Sequence, residues 1–519
     1  MLRSPILKLW AKTAVSGLAV GVALLAPAAA GATIVRVTND AELATALALA
    51  LPGDVIQLAP GAYTTVSVVA RADITLAGEP GATIAGMNIT GSARLLITGL
   101  TIAPAGATAY VNVATSSDVT FSDLHLDGGA GGAGAAIWLT PDALGVVIKN
   151  STFQHCASPM CIRASSPDVL IEHNVFDDLD DSDAVHGFGG GVIRYNHMDH
   201  ALPAGDGNHN DFIQIGNGGP WTIDGNWFGV RTGGAASIWV DSIDKGVIHD
   251  VLIQNNVLTG HYAGQDVGIF VAGDDRQVAL LPSNVRVLNN TVTSGLLNSL
   301  RFGAHYADIP VEQRPLVANN VGDRLRGMCD RIRSENNVFA DGEACTASDV
   351  IGDAGLAPDG APTAGSALLL GKADPLVTPA LDYFACTRGA APDIGAIELG
   401  ACPVSTQPPG SQAASRVTPT TPAKPLKARA RARARVVSLR TKRLARRVVV
   451  FVLCSNARRF TASLLLRGHV FSTVSHDGSA RVVRLDLRAP RTGRLRVRIR
   501  AVGAGGGSAR VITIRARRA

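Results

Sequence analysis

A short pattern of alternating apolar residues followed by asparagine recurs along the middle of the chain. The six clear copies read VVIKNSTF, VLIEHNVF, GVIRYNHM, WTIDGNWF, VLIQNNVL and VRVLNNTV, with asparagine at positions 150, 174, 196, 226, 256 and 290. Successive asparagines are 24, 22, 30, 30 and 34 residues apart, which is typical of a solenoid. Each copy alternates with a period of two and carries no helical periodicity, so each repeat is predicted to be one coil of β-strands.

The asparagine at a fixed place in each coil suits a corner of the chain, because asparagine tolerates the left-handed conformation. Stacked coils would also let the side-chain amides hydrogen-bond to one another as a ladder. The repeat therefore predicts an all-β fold, a parallel β-helix.

Two further segments resemble a known family. The stretch AELATALALALPGDVIQLAPGAYTTVSV (41–68) and the segment DIGAIE (393–398) are similar to the entry and closing segments of right-handed parallel β-helix proteins of the pectate-lyase-like superfamily. The resemblance covers roughly residues 33–400 and implies an amphipathic helix that caps the open end of the coil. This superfamily includes polysaccharide lyases, polygalacturonase-type hydrolases and uncharacterised secreted proteins, so the resemblance implies a fold rather than one reaction.

A second strand follows each asparagine and can be aligned from coil to coil. These strands read AAIWL, CIRA, DAVHG, FIQIG, SIWVD, GIFVA and SLRFG. Their alternation predicts an apolar inward row, namely Ile137, Ile162, Val185, Ile213, Ile238, Ile269 and Leu300. It predicts an outward row, here called the face row, of Trp138, Arg163, His186, Gln214, Trp239, Phe270 and Arg301.

Aromatic, basic and amide groups about 4.8 Å apart would suit a sugar chain, with rings on apolar sugar faces and polar groups on hydroxyls. We therefore predict that Trp138, Arg163, Gln214, Trp239 and Phe270 bind substrate in a groove along one sheet. A mixed solvated surface is the alternative interpretation.

Polar residues concentrate at the centre of the face row. Asp183 and Asp211 are expected to stack one coil apart, beside His186 and His209. The two carboxylates could ligate Ca²⁺, act as the acid and base of a glycosidase, or cap strands by accepting backbone N–H bonds. The histidines could carry protons near neutral pH. Further acidic residues nearby, Asp180, Asp181 and Asp206, are candidate ligands of Ca²⁺, the predicted cofactor.

The resemblance also bears on the reaction. Lyases of this fold remove the proton beside a uronate carboxylate with a Lys, Arg or His base, and they neutralise the carboxylate with Ca²⁺ or Arg. Hydrolases of this fold use carboxylates, in a motif that Ser182-Asp183 and His186-Gly187 match only in fragments. The expectation is a polysaccharide lyase rather than a hydrolase. The predicted catalytic residues are Asp183, His186, His209, Asp211 and Arg301. The alternative is a non-catalytic, glycan-binding or adhesin-type surface protein.

Charge divides the 519-residue chain into two parts. The net charge of +6 conceals a region from Lys424 to Ala519 with 26 Lys and Arg against two acidic residues. A Pro- and Thr-rich linker is predicted at 401–435, followed at 436–519 by a basic β-sandwich-like domain of about six short strands. An anionic cell-wall polymer is its expected partner, with a role in solubility or export, or nucleic acid, as alternatives. The protein is expected to be a monomer.

The amino-terminal residues predict export. Arg3, Lys8 and Lys12 precede a short apolar stretch and small residues suited to signal peptidase, so residues 1–32 are predicted to be a cleaved signal peptide. The mature protein is expected to lack a membrane span and to be secreted or attached to the cell surface. Export permits disulfides, and proximity pairs Cys156 with Cys161, Cys329 with Cys345, and Cys386 with Cys402, against the alternative of buried thiols.

Overall fold

The computed structural model consists of two compact units, 1–418 and 419–519. It describes residues 32–401, apart from 104–110, 129–134, 157–159, 181, 203–210, 230, 233–235, 243–245, 260–261, 264–266 and 294–297. In the second unit it describes the backbone of the strands between 435 and 515. The predicted signal peptide and most of the predicted linker lie outside these residues, and the division between the units falls inside the predicted linker.

The first unit is built from long parallel sheets. One sheet has 13 strands: Ile34–Val37, Val55–Leu58, Thr75–Gly78, Ala93–Thr98, Ser117–Ser122, Val147–Lys149, Val169–Glu172, Gly191–Arg194, Trp221–Asp224, His249–Gln254, Ser283–Leu288, Leu316–Ala318 and Arg333–Glu335. Each strand pairs with the strand one coil away, as Ile171 does with Ile193 and Ile193 with Ile223. Since β-branched residues alternate with polar ones along these strands, one side of the sheet is apolar.

A second sheet of 21 strands contains two series, which we call the corner strands and the face strands. The strands Gly61–Val69 and Ala82–Thr90 run through both series. The corner strands are Thr101–Ile102, His125–Asp127, Thr152–Gln154, Val175–Asp177, His197–Met198, Trp227–Phe228, Val257–Leu258, Thr291–Val292, Val321–Leu325, Val338–Gly342 and Val350–Ile351. The face strands are Val111–Ala114, Ile137–Leu139, Met160–Ala164, Asp183–Gly187, Ile213–Ile215, Ala236–Val240, Val267–Val271 and Asn298–Phe302. A small parallel sheet between the two series contains Leu179–Asp180, Ala201–Leu202, Arg231–Thr232 and Tyr262–Ala263.

The core fills the interior of the coils. The seven residues of the predicted inward row, from Ile137 to Leu300, are fully buried. The helix Asp40–Leu49 packs Leu43, Ala46 and Leu47 onto the first coil, and Asn39 caps it by accepting the N–H of Glu42. The predicted right-handed parallel β-helix with an amino-terminal capping helix is thus confirmed. Three short 3₁₀ helices, Val278–Leu280, Ala304–Asp308 and Val311–Gln313, lie in connections late in the coil.

An asparagine ladder runs through the corner after the 13-stranded sheet. The ladder residues are Asn174, Asn196, Asn226, Asn256, Asn290, Asn320 and Asn337. The Nδ2 of each donates to the side-chain Oδ1 of the next, and the last, Asn337, donates to Asp349 Oδ1. The expectation that these asparagines are left-handed is wrong for five of the six clear copies. There the preceding residue, such as Tyr195 or Asn255, has positive φ, and only Asn150 is itself left-handed. The reason is that the ladder amide must point inward, so the residue before it makes the bend.

Residues 352–400 return along the corner strands as an irregular segment, which we call the strap. Two asparagines with positive φ, each directly before a ladder residue, hold the strap. Asn289 Nδ2 donates to the carbonyls of Asp393 and Gly395, and Asn255 Nδ2 donates to that of Leu381. Tyr383, Ala396 and Ile397 of the strap pack against Val257 and Trp227. The predicted closing segment DIGAIE therefore covers part of the corner strands.

The buried guanidinium of Arg388 ties the strap together. Its Nη2 donates to Asn255 Oδ1 at 3.0 Å and to the carbonyl of Gly395 at 2.8 Å, and its Nη1 lies 3.3 Å from Glu398 Oε2. Burial lowers the pKa of Arg388, although the charge of Glu398 opposes that shift. The two Nη atoms of this buried cation are bonded to the strap, whereas its Nε has no hydrogen-bond partner among the described residues.

Replacing Arg388 by alanine is expected to destabilise the first unit by about 3 kcal/mol, because Glu398 and several strap carbonyls lose their buried partner. Urea unfolding of the full chain measures the change. The control is Arg286→Ala, which removes an exposed guanidinium from the 13-stranded sheet. Equal unfolding midpoints for the two variants would show that Arg388 does not hold the strap.

The second unit contains two antiparallel sheets. The strands Arg435–Leu444, Arg447–Ser455 and Val482–Arg488 form one, and His469–Asp477, Arg459–Leu466, Arg494–Gly503 and Gly506–Arg515 form the other. The β-sandwich-like arrangement expected from the sequence for 436–519 stays a prediction.

Two predicted disulfides are confirmed, Cys156–Cys161 and Cys329–Cys345. Cys386 is also disulfide-bonded, and its predicted partner Cys402 lies outside the described residues. Among the described helices, none has the length and apolar character needed to cross a membrane.

Candidate functional site

The face row lies across seven face strands in unbroken register. Trp138 pairs with Arg163, Arg163 with His186, and His186 with Gln214. Gln214 pairs with Trp239, Trp239 with Phe270, and Phe270 with Arg301. The seven side chains therefore follow one line of about 29 Å, given six strand spacings of about 4.8 Å. This length suits an extended chain molecule rather than a small compact ligand.

Exposure along the face row differs from the expectation of an open aromatic platform. Trp138 is 40% exposed, but Phe270, His186 and Gln214 are only 5%, 8% and 6% exposed. Trp239 and Phe270 stack with ring centroids 4.0 Å apart, together with Ala236 and Val267. Aromatic rings on neighbouring strands stack and shield each other from solvent, so the expectation of an exposed Phe270 is wrong.

One end of the face row is a stack of aromatic and cationic groups. The guanidinium carbon of Arg163 lies 5.1 Å from the ring of Trp138 and 4.7 Å from that of Phe188. The ring of Phe188 stacks in turn on His186, with centroids 4.4 Å apart. Such contacts hold the cation and the imidazole in place. Phe188 was not predicted from the sequence, although its even spacing from His186 puts it on the same side of the chain.

The two central carboxylates bind the backbone. Asp183 Oδ1 accepts the N–H of Asp211 at 2.8 Å, and Asp211 Oδ1 accepts the N–H of Ala236 at 2.8 Å. Both residues are buried, and the three positions follow one another on successive coils. The sequence left three roles open for these carboxylates. Both Oδ1 atoms act in one of them, strand capping. The other oxygen of Asp183 lies 3.5 Å from His186 Nδ1, which links it to the face row.

The opposite end of the face row is a cluster around Asp274. Its carboxylate lies 2.7 Å from Arg301 Nη2 and 2.9 Å from Arg331 Nη1, and Arg301 also lies over the ring of Phe270. Burial alone would raise the pKa of Asp274, but the bond and charge of Arg301 hold it below its usual value. Arg331 and Asp274 were missed as site residues because they come from connections rather than from the aligned strands.

The remaining predicted residues cannot be placed on the site. His209, Asp181 and Asp206 lie outside the described residues, and only the backbone of Asp180 is described, in the strand Leu179–Asp180. Their catalytic and Ca²⁺-binding roles stay predictions.

A second polar cluster lies where two corner strands end. Asp177 Oδ1 and Asp199 Oδ2 are 2.8 and 3.3 Å from His200 Nδ1. The hydrogen bond to Asp177 raises the pKa of His200. Burial alone would raise the pKa of Asp177, but the bond and charge of His200 lower it below its usual value. The sequence alignment missed this cluster because it compared the asparagines and the face strands, and not the residues that follow the corner strands.

Fold and site together define a class, a right-handed parallel β-helix protein with a polar and aromatic row along one sheet. No protein-family profile matches the sequence, and comparison with curated proteins finds no significant match. Among solved structures it is similar to the PL6 family alginate lyase AlyGC, at 15% identity and a TM-score of 0.38, over 67% of this chain and 60% of that one.

Two more solved structures are similar at the same level. A mannuronic acid specific polysaccharide family 6 lyase from human gut microbiota is 14% identical, with a TM-score of 0.37, over 62% of this chain and 92% of that one. The catalytic domain of a GH87 α-1,3-glucanase is 13% identical, with a TM-score of 0.37, over 63% and 68%. The assignment of this chain to the parallel β-helix class rests on its own strand register.

Proposed function

We propose that this is a secreted polysaccharide lyase that binds an acidic glycan along the face row. The observation that carries this proposal is the succession of Arg163 and His186 on neighbouring face strands, with Asp183 behind the histidine. A cation beside a proton acceptor is the pair that elimination next to a uronate carboxylate requires.

In this mechanism Arg163 and Arg301 attract the uronate carboxylates, and His186 takes the proton from the carbon beside one of them. The electron pair of that C–H bond forms a double bond to the neighbouring carbon, the C–O bond to the glycosidic oxygen breaks, and that oxygen takes a proton from water. Asp183 is a positioning residue, because its carboxylate lies 3.5 Å from His186 Nδ1 and orients the imidazole. The aromatic rings of Trp138 and Trp239 pack against the sugar.

Because the β-helix carries a negative net charge, binding of a polyanion depends on arginines in the face row. Residues 33–423 hold 19 Lys and Arg against 40 Asp and Glu, so the β-helix as a whole repels a polyanion. Arg163, Arg301 and Arg331 give the row its local positive charge. The described residues of the row do not fit Ca²⁺, because Asp183 and Asp211 each commit an oxygen to a backbone amide and the other members offer few oxygens. The mechanism therefore assigns charge neutralisation to arginine, and a Ca²⁺ role would depend on Asp180, Asp181 and Asp206.

The test is to incubate the full chain with polyuronates and with neutral glycans, with Ca²⁺ and with chelator. The expected result is an unsaturated product that absorbs in the near ultraviolet, formed from a polyuronate. New reducing ends without that absorbance would indicate a hydrolase instead. Binding without any product would favour the second candidate, a non-catalytic glycan-binding surface protein, which the low exposure of His186 and Gln214 supports.

The basic second unit serves, in this proposal, to attach the monomeric enzyme to an anionic cell-wall polymer. Arg494, Arg496, Arg498 and Arg500 are alternate residues of the strand Arg494–Gly503. In register with them on the next strand are Leu465, Ser463 and Thr461. Four arginines at alternate positions of one strand are suited to binding a polyanion.

Changing these four arginines together to glutamine is expected to reduce binding of the full chain to isolated cell walls by at least about tenfold at low salt. Co-sedimentation measures the bound fraction. The matched control changes Lys424, Lys427, Arg429 and Arg431 to glutamine, which removes the same charge from the predicted linker. If both variants lose binding equally, the attraction depends on total charge and not on the strand.

A further inference from the structure

Three metal-binding side chains converge at the ends of two neighbouring corner strands. Asp177 ends the strand Val175–Asp177, and Asp199 and His200 directly follow His197–Met198. One donor atom from each side chain lies within 4.8 Å of the other two. The separations of His200 Nδ1 from Asp177 Oδ1 and Asp199 Oδ2 are 2.8 and 3.3 Å. The three groups lie on the corner strands and belong to none of the steps proposed for the face row.

The backbone holds both carboxylates in place. Phe176 pairs with Met198, so Asp177 and Asp199 occupy neighbouring positions one coil apart. The residue after each aspartate is left-handed, Asp178 with φ 53° and His200 with φ 52°. Its N–H donates to the preceding carboxylate, at 3.0 Å to Asp177 Oδ1 and at 2.9 Å to Asp199 Oδ1. A ligand set fixed in this way loses little conformational entropy when an ion binds.

We propose that Asp177, Asp199 and His200 form a site for a divalent transition metal, with Zn²⁺ preferred over Ca²⁺. Ligands about 2.0 Å from a tetrahedral zinc ion are about 3.3 Å apart, close to the separations already present. Imidazole with two carboxylates is a common zinc ligand set, and the ion takes the place of the proton between His200 and Asp177. Calcium prefers six to eight oxygens and gains little from an imidazole.

A second histidine supports the site. His197 precedes Asp199 by two residues and lies in the strand His197–Met198 that ends beside it. Its Nδ1 is buried and has no hydrogen-bond partner among the described residues, while the ring stacks on Trp227 with centroids 4.1 Å apart. Half of the His200 side chain is exposed, so solvent can reach the ion and complete its coordination.

A bound ion would join two successive coils. The strands Leu179–Asp180 and Ala201–Leu202 of the small sheet begin within two residues of Asp177 and His200, and they lead towards the coils that carry Asp183 and Asp211. Zinc is therefore expected to stabilise the middle of the β-helix against unfolding, because the ion binds the native arrangement only.

The matched control comes from the preceding coil. His155 Nδ1 lies 2.9 Å from Asp127 Oδ1, and His155 is left-handed like His200, with φ 50°. The residue before His155 is Gln154, in place of the second aspartate. His155→Asn therefore removes a histidine with one carboxylate partner, in the same backbone setting, from a place where the described residues form no group of three ligands. Asparagine is chosen for both histidine variants because it tolerates the left-handed conformation.

The experiment titrates ZnCl₂ and CaCl₂ into chelator-treated full chain by calorimetry, and records thermal unfolding with each ion. The expected result is one zinc site that raises the unfolding temperature, and calcium binding at least about tenfold weaker. His200→Asn should weaken zinc binding at least about 100-fold and abolish the thermal shift, and His155→Asn should change neither. Asp199→Asn provides the same test if His200→Asn does not fold. Equal zinc binding by the parent protein and by these site variants, calcium binding that is tighter than zinc binding and is lost in His200→Asn, or no zinc binding would overturn the proposal. None of these outcomes depends on glycan cleavage, so they are separate from a failure of the lyase proposal.

Discussion

Replacing His186 with asparagine is expected to lower the rate of polyuronate cleavage about a thousandfold, since a positioned general base contributes about 10²- to 10⁴-fold. His186 is 8% exposed, its imidazole stacks on Phe188, and Asp183 lies 3.5 Å from its Nδ1, so the ring is held in one orientation. Asparagine keeps a polar group of similar length but cannot accept the proton. The loss should appear in kcat rather than in KM, because Arg163 and the aromatic rings remain to bind the glycan.

The measurement is the initial rate of near-ultraviolet absorbance increase on the polyuronate that the parent enzyme cleaves. A suitable control is His173→Asn, which removes another stacked histidine, from the corner next to Asn174. That variant should retain the parent rate within about twofold. A His186→Asn enzyme that keeps a tenth or more of the parent rate would show that the base lies elsewhere, with His209 as the next candidate.

Replacing Asn226 with alanine is expected to destabilise the first unit by about 4 kcal/mol, because several buried polar groups lose their partners at once. Asn226 Oδ1 accepts the N–H and the side-chain amide of Asn196, each at 3.0 Å. Its amide donates to the carbonyl of Ile193 at 2.9 Å and to Asn256 Oδ1 at 3.0 Å. The site is fully buried, so water does not replace these bonds without local opening.

Urea unfolding followed by tryptophan fluorescence measures this loss, since Trp221 and Trp227 lie on either side of the substituted residue along the chain. Asn88→Ala, at a half-buried position of the strand Ala82–Thr90, is the control and should cost less than about 1 kcal/mol. If the two variants unfold at the same urea concentration, the ladder contributes no more than an ordinary polar contact.

The strand alignment was available from the sequence because a sheet alternates with a period of two. One apolar position in each repeat, from Ile137 to Leu300, sets the inward side, and the next residue must face outward. The face row follows from this without any three-dimensional information. The asparagine ladder is similarly visible in the sequence, since a side-chain amide can pair with its own copy only when coils stack.

The burial and the hydrogen bonding of the residues in that register depend on contacts between distant parts of the chain. Phe270 lies in the predicted row but is buried, because Trp239 on the neighbouring coil covers it. Asp183 and Asp211 stack as expected but cap the next coil, a choice decided by the position of the following N–H groups. Arg331 joins Arg301 through Asp274, across 57 residues from Asp274 to Arg331.

The sequence by itself therefore determined the fold class of the first unit, its seven-residue face row and the pairing of four cysteines, because these depend on local alternation and on proximity. Only the tertiary structure decided which groups of the row are buried, which carboxylates are committed to the backbone, and that Asp177, Asp199 and His200 meet. Burial and convergence depend on the distances between atoms on different coils, and those distances are set by how the turns between the strands fold.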